Sequence, residues 1–181
     1  MPGAIHQPMR RRIGRPMTVA APVLLAALAQ LWLSSDCRPR DPEALGEGFH
    51  RVARVVDGDT LLLDNGARVR LIGVDTPETV KPDSAVEAFG PEAAAYTGRF
   101  VADAGGRVYL RFDRERKDRF DRFLAYVFHD ERMLNEELVF HGLARARTEF
   151  SYSEAVKRRL RQAEADAKTA GRGIWGPDEH R

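Results

Sequence analysis

The sequence predicts an α+β domain in which five short strands are combined with three helices. Short runs rich in leucine and β-branched residues, each bounded by turn residues, occur three times and then twice more after a helical segment. The segments between and after these runs carry apolar residues at helical spacing and end at glycines. Strands and helices in this mixed order favour the α+β class.

The first three strands are predicted at residues 51–56, 60–63 and 68–74. Asn65 and Gly66 lie between the second and the third strand, and because both residues tolerate positive φ they predict a tight hairpin turn. The third run does not alternate cleanly between apolar and polar residues. That pattern favours a strand that is buried on both faces, as in a barrel.

After a loop at 79–89, the segment "GPEAAAYTGRFVADAGG" predicts a helix with Pro91 in its first turn and two glycines as its stop signal. Two more strands, a short helix and a longer amphipathic helix follow, at residues 107–112, 123–128, about 134–141 and about 153–170. Five strands in this order could close as a small Greek-key barrel of the OB type, although periodicity alone leaves an open sheet possible.

The chain has 181 residues, which is enough for one domain with a substantial core. We predict a targeting segment, a linker rich in proline, glycine and charge, a folded domain and a short tail, at residues 1–37, 38–49, 50–176 and 177–181. Four of the 29 basic residues and one of the 27 acidic residues lie in the targeting segment, so the remainder is close to neutral. Nucleic-acid binding must therefore be argued from local clusters, not from net charge.

The targeting segment consists of a basic stretch, "RRRIGRP", and an apolar run at residues 17–33. The small-x-small pattern at Ala27 and Ala29 favours a secretory signal that is removed. The run is also long enough to span a bilayer, so an uncleaved membrane anchor is the alternative. Either way the protein is expected to be secreted, periplasmic or membrane-anchored. Cys37, the only cysteine, can form no internal disulfide, so the domain must be stable by packing alone.

Charged side chains interrupt an otherwise apolar hairpin and its exit loop, "VVDGDTLLLDNGARVRLIGVDTPET". Four of its charged residues are Asp59, Arg70, Asp75 and Glu78, and because burying such groups without partners is costly, they predict a metal or an anion. A hard cation prefers several oxygen ligands, and carboxylates from two strand ends can converge at one barrel edge. The cation could polarise a phosphoryl oxygen, Glu78 could accept a proton from a water, and a guanidinium suits a phosphate.

Successive motifs along the chain resemble those of the staphylococcal-type thermonuclease family, also called SNase-like. They run in order from about Arg51 to Gly176: "VVDGDT", "RLIGVDTPET", "FGPEA", "DRFDRFLAYV", "LNEELVFHGLA" and "GIWG". The resemblance implies a five-stranded OB-fold barrel with three helices. It also implies a Ca²⁺-dependent enzyme that hydrolyses DNA and RNA with little sequence specificity and leaves 3′-phosphate ends. We expect a monomer whose partners are DNA, RNA and, through the N-terminal segment, the membrane.

The resemblance implies a set of metal ligands. Asp59 and Asp75 match the calcium carboxylates, and Thr76 matches a residue that contributes its backbone carbonyl. Asp57 matches an acid near the metal that does not bind it directly.

The resemblance also implies catalytic and substrate-binding residues. Glu78 matches the residue that activates or orients the attacking water, and Arg70 and Arg122 match the two arginines that hold the scissile phosphate. Arg119 and Phe120 match positions that contact the nucleotide.

Three positions depart from the family pattern. Asp121 stands where a glycine usually precedes Arg122, and its carboxylate could compete with phosphate for that arginine. Phe120 replaces a tyrosine and lacks its hydroxyl, and Thr148 falls closest to a second expected tyrosine. These changes predict weaker mononucleotide binding than is usual in the family.

Two other classes of function stay open. One is a non-catalytic OB-fold module that binds nucleic acid, and the other is a surface domain that calcium stabilises. The presence of all the acids and arginines of the catalytic set favours the nuclease.

Overall fold

The structure is a computed structural model that describes Gly3, residues 45–78 and residues 88–177. Apart from Gly3, these residues belong to one compact unit, Arg40–Arg181. The predicted targeting segment, most of the predicted linker and most of the loop at 79–89 lie outside the described residues. None of the helices in the described ranges is long and apolar enough to cross a membrane.

Within the described residues, five strands close into a barrel. They are β1 (Gly48–Asp57), β2 (Thr60–Leu63), β3 (Arg68–Leu71), β5 (Arg107–Lys117) and β6 (Phe123–His129). Antiparallel pairing follows the order β3-β2-β1-β5-β6, and a parallel pairing of β3 with β6 closes the ring. The prediction of a barrel of the OB type is therefore confirmed, and the open sheet is excluded.

Short strands extend the barrel at its margins. They are β4 (Val74–Asp75), β7 (Arg132–Met133) and β8 (Arg145–Ala146). β7 pairs with β6, whereas β4 and β8 form a separate two-stranded sheet in which Asp75 is opposite Arg145.

The third predicted strand, residues 68–74, is interrupted in the structure. β3 ends at Leu71, and the chain turns at Gly73, whose φ is 76°. A Cβ at Gly73 would lie 2.6 Å from the Tyr152 hydroxyl oxygen, so both the backbone conformation and the close approach require glycine. The turn separates β4 from the barrel and directs Asp75 towards β8.

Three α-helices are found in the described part of the chain: α1 (Gly90–Asp103), α2 (Leu134–Phe140) and α3 (Glu154–Thr169). A short 3₁₀-helix follows at Gly173–Trp175. These helices match the predicted segments to within a residue or two. The chain leaves them through glycines with positive φ, at Gly105, Gly142 and Gly171.

The core fills the barrel and continues beneath the helices. Alternate residues of the strands are buried, and the largest fully buried side chains are Tyr126, Phe100, Leu61, Leu63, Leu71, Leu110, Met133, Leu134, Leu138, Leu160, Val69 and Val108. Asn135 is the buried polar residue that joins α2 to the barrel. Its amide nitrogen donates to the Ile72 carbonyl (2.9 Å), and its amide oxygen accepts from the Val127 N–H (3.0 Å).

Candidate active site

The turn between β1 and β2 is held against α1. The Thr97 hydroxyl donates to the Gly58 carbonyl (2.6 Å), and a Cβ at Gly58 would lie 2.7 Å from the Ala93 Cβ and 2.8 Å from the Thr76 Cγ2. Only a glycine fits this contact. The Asp59 N–H donates to the Asp57 carboxylate (3.1 Å), which closes the turn.

Asp59 links three segments of the chain although its side chain is nearly inaccessible. The residue is 3% exposed. Its carboxylate accepts from the Thr60 hydroxyl (3.1 Å) and from the Thr76 N–H (3.0 Å), and it forms an ion pair with Arg70. The predicted metal ligands Asp59 and Thr76 are therefore in direct contact.

The carboxylates of Asp59 and Asp75 converge on one guanidinium, that of Arg70. The Arg70 Nη2 lies 2.8 Å from the Asp75 Oδ1 and 3.2 Å from the Val74 carbonyl oxygen. Burial lowers the pKa of Arg70 from its ordinary value, although the charge of Asp75 opposes that shift. An acid from the turn between β1 and β2 and an acid on β4 are thus brought within reach of a single cationic group.

Arg147 is a functional candidate that the sequence analysis missed. Its Nη1 lies 2.9 Å from the Asp75 Oδ2, so Asp75 is held between two arginines. The Arg147 Nε donates to Glu149 (2.5 Å), and its backbone N–H donates to the Gly73 carbonyl (2.8 Å). Arg147 adjoins Thr148, one of the departures from the family pattern, but no sequence pattern indicates that β8 leads Arg147 to Asp75.

Glu78 lies on the surface at the end of the described segment that contains Asp75 and Thr76. Its backbone is held by α1, because a Cβ at Gly90 would lie 3.0 Å from the carbonyl oxygens of Pro77 and Glu78. The close packing of Gly90, at the start of α1, therefore fixes the path of the backbone at Glu78.

Asp118 organises the loop between β5 and β6. Its carboxylate accepts from the backbone N–H groups of Phe120 (2.9 Å) and Arg122 (3.0 Å) and from the Arg122 Nε (2.8 Å). Burial alone would raise the pKa of Asp118, but the hydrogen bonds from Arg122 and Phe120 outweigh it and lower that pKa.

Asp121 does not compete for Arg122, contrary to the prediction. The Asp121 carboxylate pairs with Lys117 (2.8 Å), and the carboxylate that pairs with the Arg122 guanidinium is that of Asp118 (2.7 Å). The φ of Asp121 is 62°. This left-handed conformation favours glycine and is tolerated by aspartate, which accounts for the departure at this position.

Arg119 and Phe120 lie together on the rim of the loop. The Phe120 side chain is 61% exposed, and its ring centroid lies 4.7 Å from the Arg119 Cζ and 5.4 Å from the Arg122 Cζ. Phe150 supplies a second exposed ring, with the Arg147 Cζ 5.6 Å from its centroid. An aromatic group is therefore present near the expected second tyrosine, at Phe150 and not at Thr148.

A cavity of about 590 Å³ joins most of these groups. Its lining includes five of the predicted site residues, Arg70, Asp75, Arg119, Phe120 and Arg122, together with Arg147, Asp118 and Phe150. Thr76 instead lines a smaller neighbouring cavity of about 200 Å³ that also contacts Asp75. Asp59 lines neither cavity but forms an ion pair with Arg70, which lines the larger one. Glu78 also lines neither cavity.

The donor chemistry fits a hard cation. Across residues 45–78 and 88–177 there is no group of three or more His, Cys, Asp or Glu side chains arranged to hold a metal. Asp59 and Asp75 nevertheless offer carboxylate oxygens that already converge on the positive charge of Arg70, and the Thr76 backbone is beside Asp59. Ca²⁺ takes six to eight oxygen ligands and often completes its shell with carbonyls and water.

A closed barrel with acids and arginines around one cavity fits an enzyme that acts on phosphate esters. Residues 68–177 match the family described as "Staphylococcal nuclease homologue". The chain belongs to this family, and it is a nuclease, a hydrolase of phosphodiester bonds.

Individual relatives agree with this assignment. The chain is 36% identical over 163 residues to the thermonuclease of Staphylococcus hyicus, which covers 87% of this chain and 93% of that protein. It is 42% identical over 133 residues to the thermonuclease of Staphylococcus intermedius, and the match covers 72% of this chain and 77% of that protein. It is also 36% identical over 126 residues to the endonuclease YncB of Bacillus subtilis, and the match covers 67% of this chain and 59% of that protein.

Proposed function

We propose that this nuclease is Ca²⁺-dependent and cleaves DNA and RNA with little sequence preference, leaving 3′-phosphate ends. The observation that carries the proposal is the convergence of Asp59 and Asp75 on one cationic position. This position adjoins a cavity lined by Arg70 and Arg122. Carboxylates for a hard cation and arginines for a phosphate are the groups that this reaction requires.

The metal would be held by the carboxylates of Asp59 and Asp75 and by the backbone carbonyl of Thr76, with Asp57 nearby. When bound, Ca²⁺ supplies a Lewis acid that polarises a phosphoryl oxygen and positions a water.

The remaining steps belong to side chains of the protein. The guanidinium groups of Arg70 and Arg122 bind the oxygens of the scissile phosphate, whose negative charge grows in the transition state. Asp118 orients Arg122 through a charged hydrogen bond. Glu78 accepts the proton of the attacking water, as general bases do.

Arg119 and Phe120 bind the nucleotide beside the scissile phosphate. Phe120 can stack or pack but has no hydroxyl to donate to a terminal phosphate. We therefore expect mononucleotides to bind more weakly than is usual in the family. Tight stoichiometric binding of a nucleoside 3′,5′-bisphosphate with Ca²⁺ would contradict this expectation.

The test is digestion of denatured DNA and of RNA by the full chain, first with Ca²⁺ and then with a chelator. We expect cleavage with Ca²⁺, little cleavage with the chelator, and a loss of about 100-fold or more in Glu78→Ala and in Arg122→Ala. Matched controls are Glu131→Ala and Arg158→Ala, which alter exposed residues outside the cavity and should retain full activity.

Three outcomes would contradict the proposal in different ways. A loss of less than tenfold in Glu78→Ala would remove the assigned role of Glu78. Nucleic acid that binds and is not cut would support a binding module. Calcium-dependent stability with neither binding nor cleavage would support a surface domain stabilised by the metal.

We also propose that the chain is exported or anchored to a membrane. The support is the basic and apolar sequence of the targeting segment, residues 1–37. Mass spectrometry of the protein recovered from medium, periplasm and membranes would separate a cleaved signal from an uncleaved anchor. Recovery of the intact chain from the cytosol alone would contradict both.

A further inference from the structure

Three aromatic side chains form a row across the outer face of the barrel. Phe49 on β1 is paired with Tyr109 on β5, and Tyr109 is paired with Phe128 on β6. Because directly opposite residues of antiparallel strands project to the same face, the three rings lie on one surface. The neighbours of Tyr109 along β5, Val108 and Leu110, are fully buried, so the row is on the outside of the barrel.

Arginines flank the aromatic row on both sides. On one side of the row, two residues from Phe49 on β1 and from Tyr109 on β5, Arg51 is paired with Arg107. On the other side, Arg111 of β5 is paired with Tyr126 of β6. We call the surface made by Phe49, Arg51, Arg107, Tyr109, Arg111 and Phe128 the outer basic face. Its three arginines are exposed.

Two of the three arginines of the outer basic face lie over aromatic rings. The Arg107 Cζ lies 6.0 Å from the ring centroid of Phe49, and the Arg111 Cζ lies 4.7 Å from that of Phe128. The rings of Phe49 and Tyr109 meet edge to face, with centroids 5.3 Å apart. These contacts place the guanidinium groups of Arg107 and Arg111 beside the aromatic row.

The charges of this face are not neutralised within the described residues. Among the described residues, none of the three arginines forms an ion pair with a carboxylate. Phe49 remains 59% exposed although it is a large apolar side chain. A surface with unneutralised positive charge, one exposed ring and two half-buried rings fits a ligand that offers both negative charges and flat apolar surfaces.

The outer basic face adjoins the candidate active site. Asp113 follows Arg111 by two residues on β5, about 7 Å along the strand, and it lines the cavity that contains Arg70 and Arg122. The Tyr126 hydroxyl donates to the Asp113 carboxylate (2.5 Å), and the Ser153 N–H donates to the same oxygen (2.9 Å). The Asp113 carboxylate, between the outer basic face and the cavity, therefore already has hydrogen-bond partners within the protein.

We propose that the outer basic face binds single-stranded nucleic acid at nucleotides beyond those held in the cavity. Phosphates would lie against the arginines, and unpaired bases would stack on Phe49 and its neighbours, as on other sequence-tolerant single-strand sites. A duplex could offer its phosphates but not the faces of its bases. That the bound strand is also a substrate rests on the proposed function. That the outer basic face binds it does not.

The binding test uses fluorescence anisotropy of the full chain with a labelled oligothymidylate of about 15 nucleotides, in chelator so that no cleavage occurs. We expect Phe49→Ala to weaken binding about tenfold, from lost stacking. We expect Arg107→Gln with Arg111→Gln to weaken binding and to reduce the slope of log affinity against log salt by about 1.4, at about 0.7 per phosphate contact.

The matched control is the double variant Arg158→Gln with Arg161→Gln, which removes two exposed arginines from α3. The proposal predicts that this control keeps the affinity and the salt slope of the unmodified chain. Equal losses in both double variants, or no loss in the variants of the outer basic face, would overturn the proposal. Thermal unfolding of each variant verifies that the fold is intact.

A cleavage assay separates this proposal from the proposed function. With Ca²⁺, we expect the variants of the outer basic face to raise KM for long single strands and to leave turnover of a dinucleotide unchanged. Equal effects on both substrates would overturn the proposal. If the unmodified chain cleaves neither substrate, the proposed function fails while the anisotropy result still decides the binding site.

Discussion

A single carboxylate, that of Asp118, orders the loop that presents Arg122. It accepts hydrogen bonds from two backbone N–H groups and from the guanidinium of Arg122. The loop also contains a left-handed residue, Asp121. The ionised form of Asp118 therefore stabilises the conformation of this loop.

Replacement of Asp118 by asparagine should destabilise the protein in a pH-dependent way. The folded pKa of Asp118 is below its ordinary value, so its stabilising effect is complete above the unfolded pKa and is lost as the pH falls through the folded pKa. We expect Asp118→Asn to lower the free energy of unfolding by about 1–3 kcal/mol at neutral pH. The difference should shrink steadily below about pH 4.

Urea unfolding of both proteins between neutral pH and acid would measure this difference. Asp64→Asn, at an exposed turn residue, is the control and should change the free energy of unfolding little at any pH. A destabilisation by Asp118→Asn that is constant with pH would contradict the role of the ionised carboxylate.

At the scale of elements, the site depends on how α1 packs against the turn between β1 and β2. Gly58 is in that turn, and its contacts with Ala93 and Thr76 leave no room for a side chain. The same helix holds the backbone of Pro77 and Glu78 at its start. Displacing α1 would therefore disturb the predicted metal ligands and Glu78 together.

We expect Gly58→Ala to lower the free energy of unfolding by about 1–3 kcal/mol, because the added methyl overpacks the contact. It should also reduce Ca²⁺-dependent cleavage. Gly98→Ala is the control, since a Cβ at Gly98 in α1 meets no atom within 4 Å. That variant should be neutral or stabilised by up to about 1 kcal/mol. Denaturant unfolding and digestion assays measure both effects, and equal stability of the two variants would refute the argument.

The sequence was sufficient to predict the helices to within a residue or two and most barrel strands to within three residues. It failed for β5, predicted at 107–112, which continues to Lys117 because the charged residues that follow still pair with β6. Periodicity could not reveal the turn at Gly73, because "LIGV" reads as a continuous apolar run and the side chain that requires glycine there, Tyr152, is far along the chain. Arg147 was missed for a related reason. The β4–β8 pairing that brings it to Asp75 involves strands of two residues, too short to leave a pattern.

At the scale of the whole molecule, Asn135 connects the barrel to the helical layer. The residue is completely buried, and its amide serves the backbone of two different strand regions, at Ile72 and Val127. Nothing apolar can replace these hydrogen bonds. The sequence motif "LNEEL" marks the residue but does not show which strands it joins.

We expect Asn135→Ala to lower the free energy of unfolding by about 2–5 kcal/mol, because it leaves a buried N–H and a buried carbonyl without partners. Urea unfolding would measure the loss. Gln162→Ala removes an exposed amide whose partner is Asp166 on the same helix, and it should cost less than about 0.5 kcal/mol. Similar costs for the two variants would contradict the proposed linking role of Asn135.

The closure of the barrel has a consequence for how the chain acquires its structure. β3 pairs in parallel with β6, with Val69 opposite Phe123, so the ring stays open until a strand from far along the chain arrives. Closing a long loop costs entropy before its contacts form, and proteins rich in such pairings fold in milliseconds to seconds, not microseconds. During synthesis the first three strands can form only a meander with two free edges. β5 then covers the β1 edge, so completion of the enzyme waits until β6 has been made and pairs with both β5 and β3.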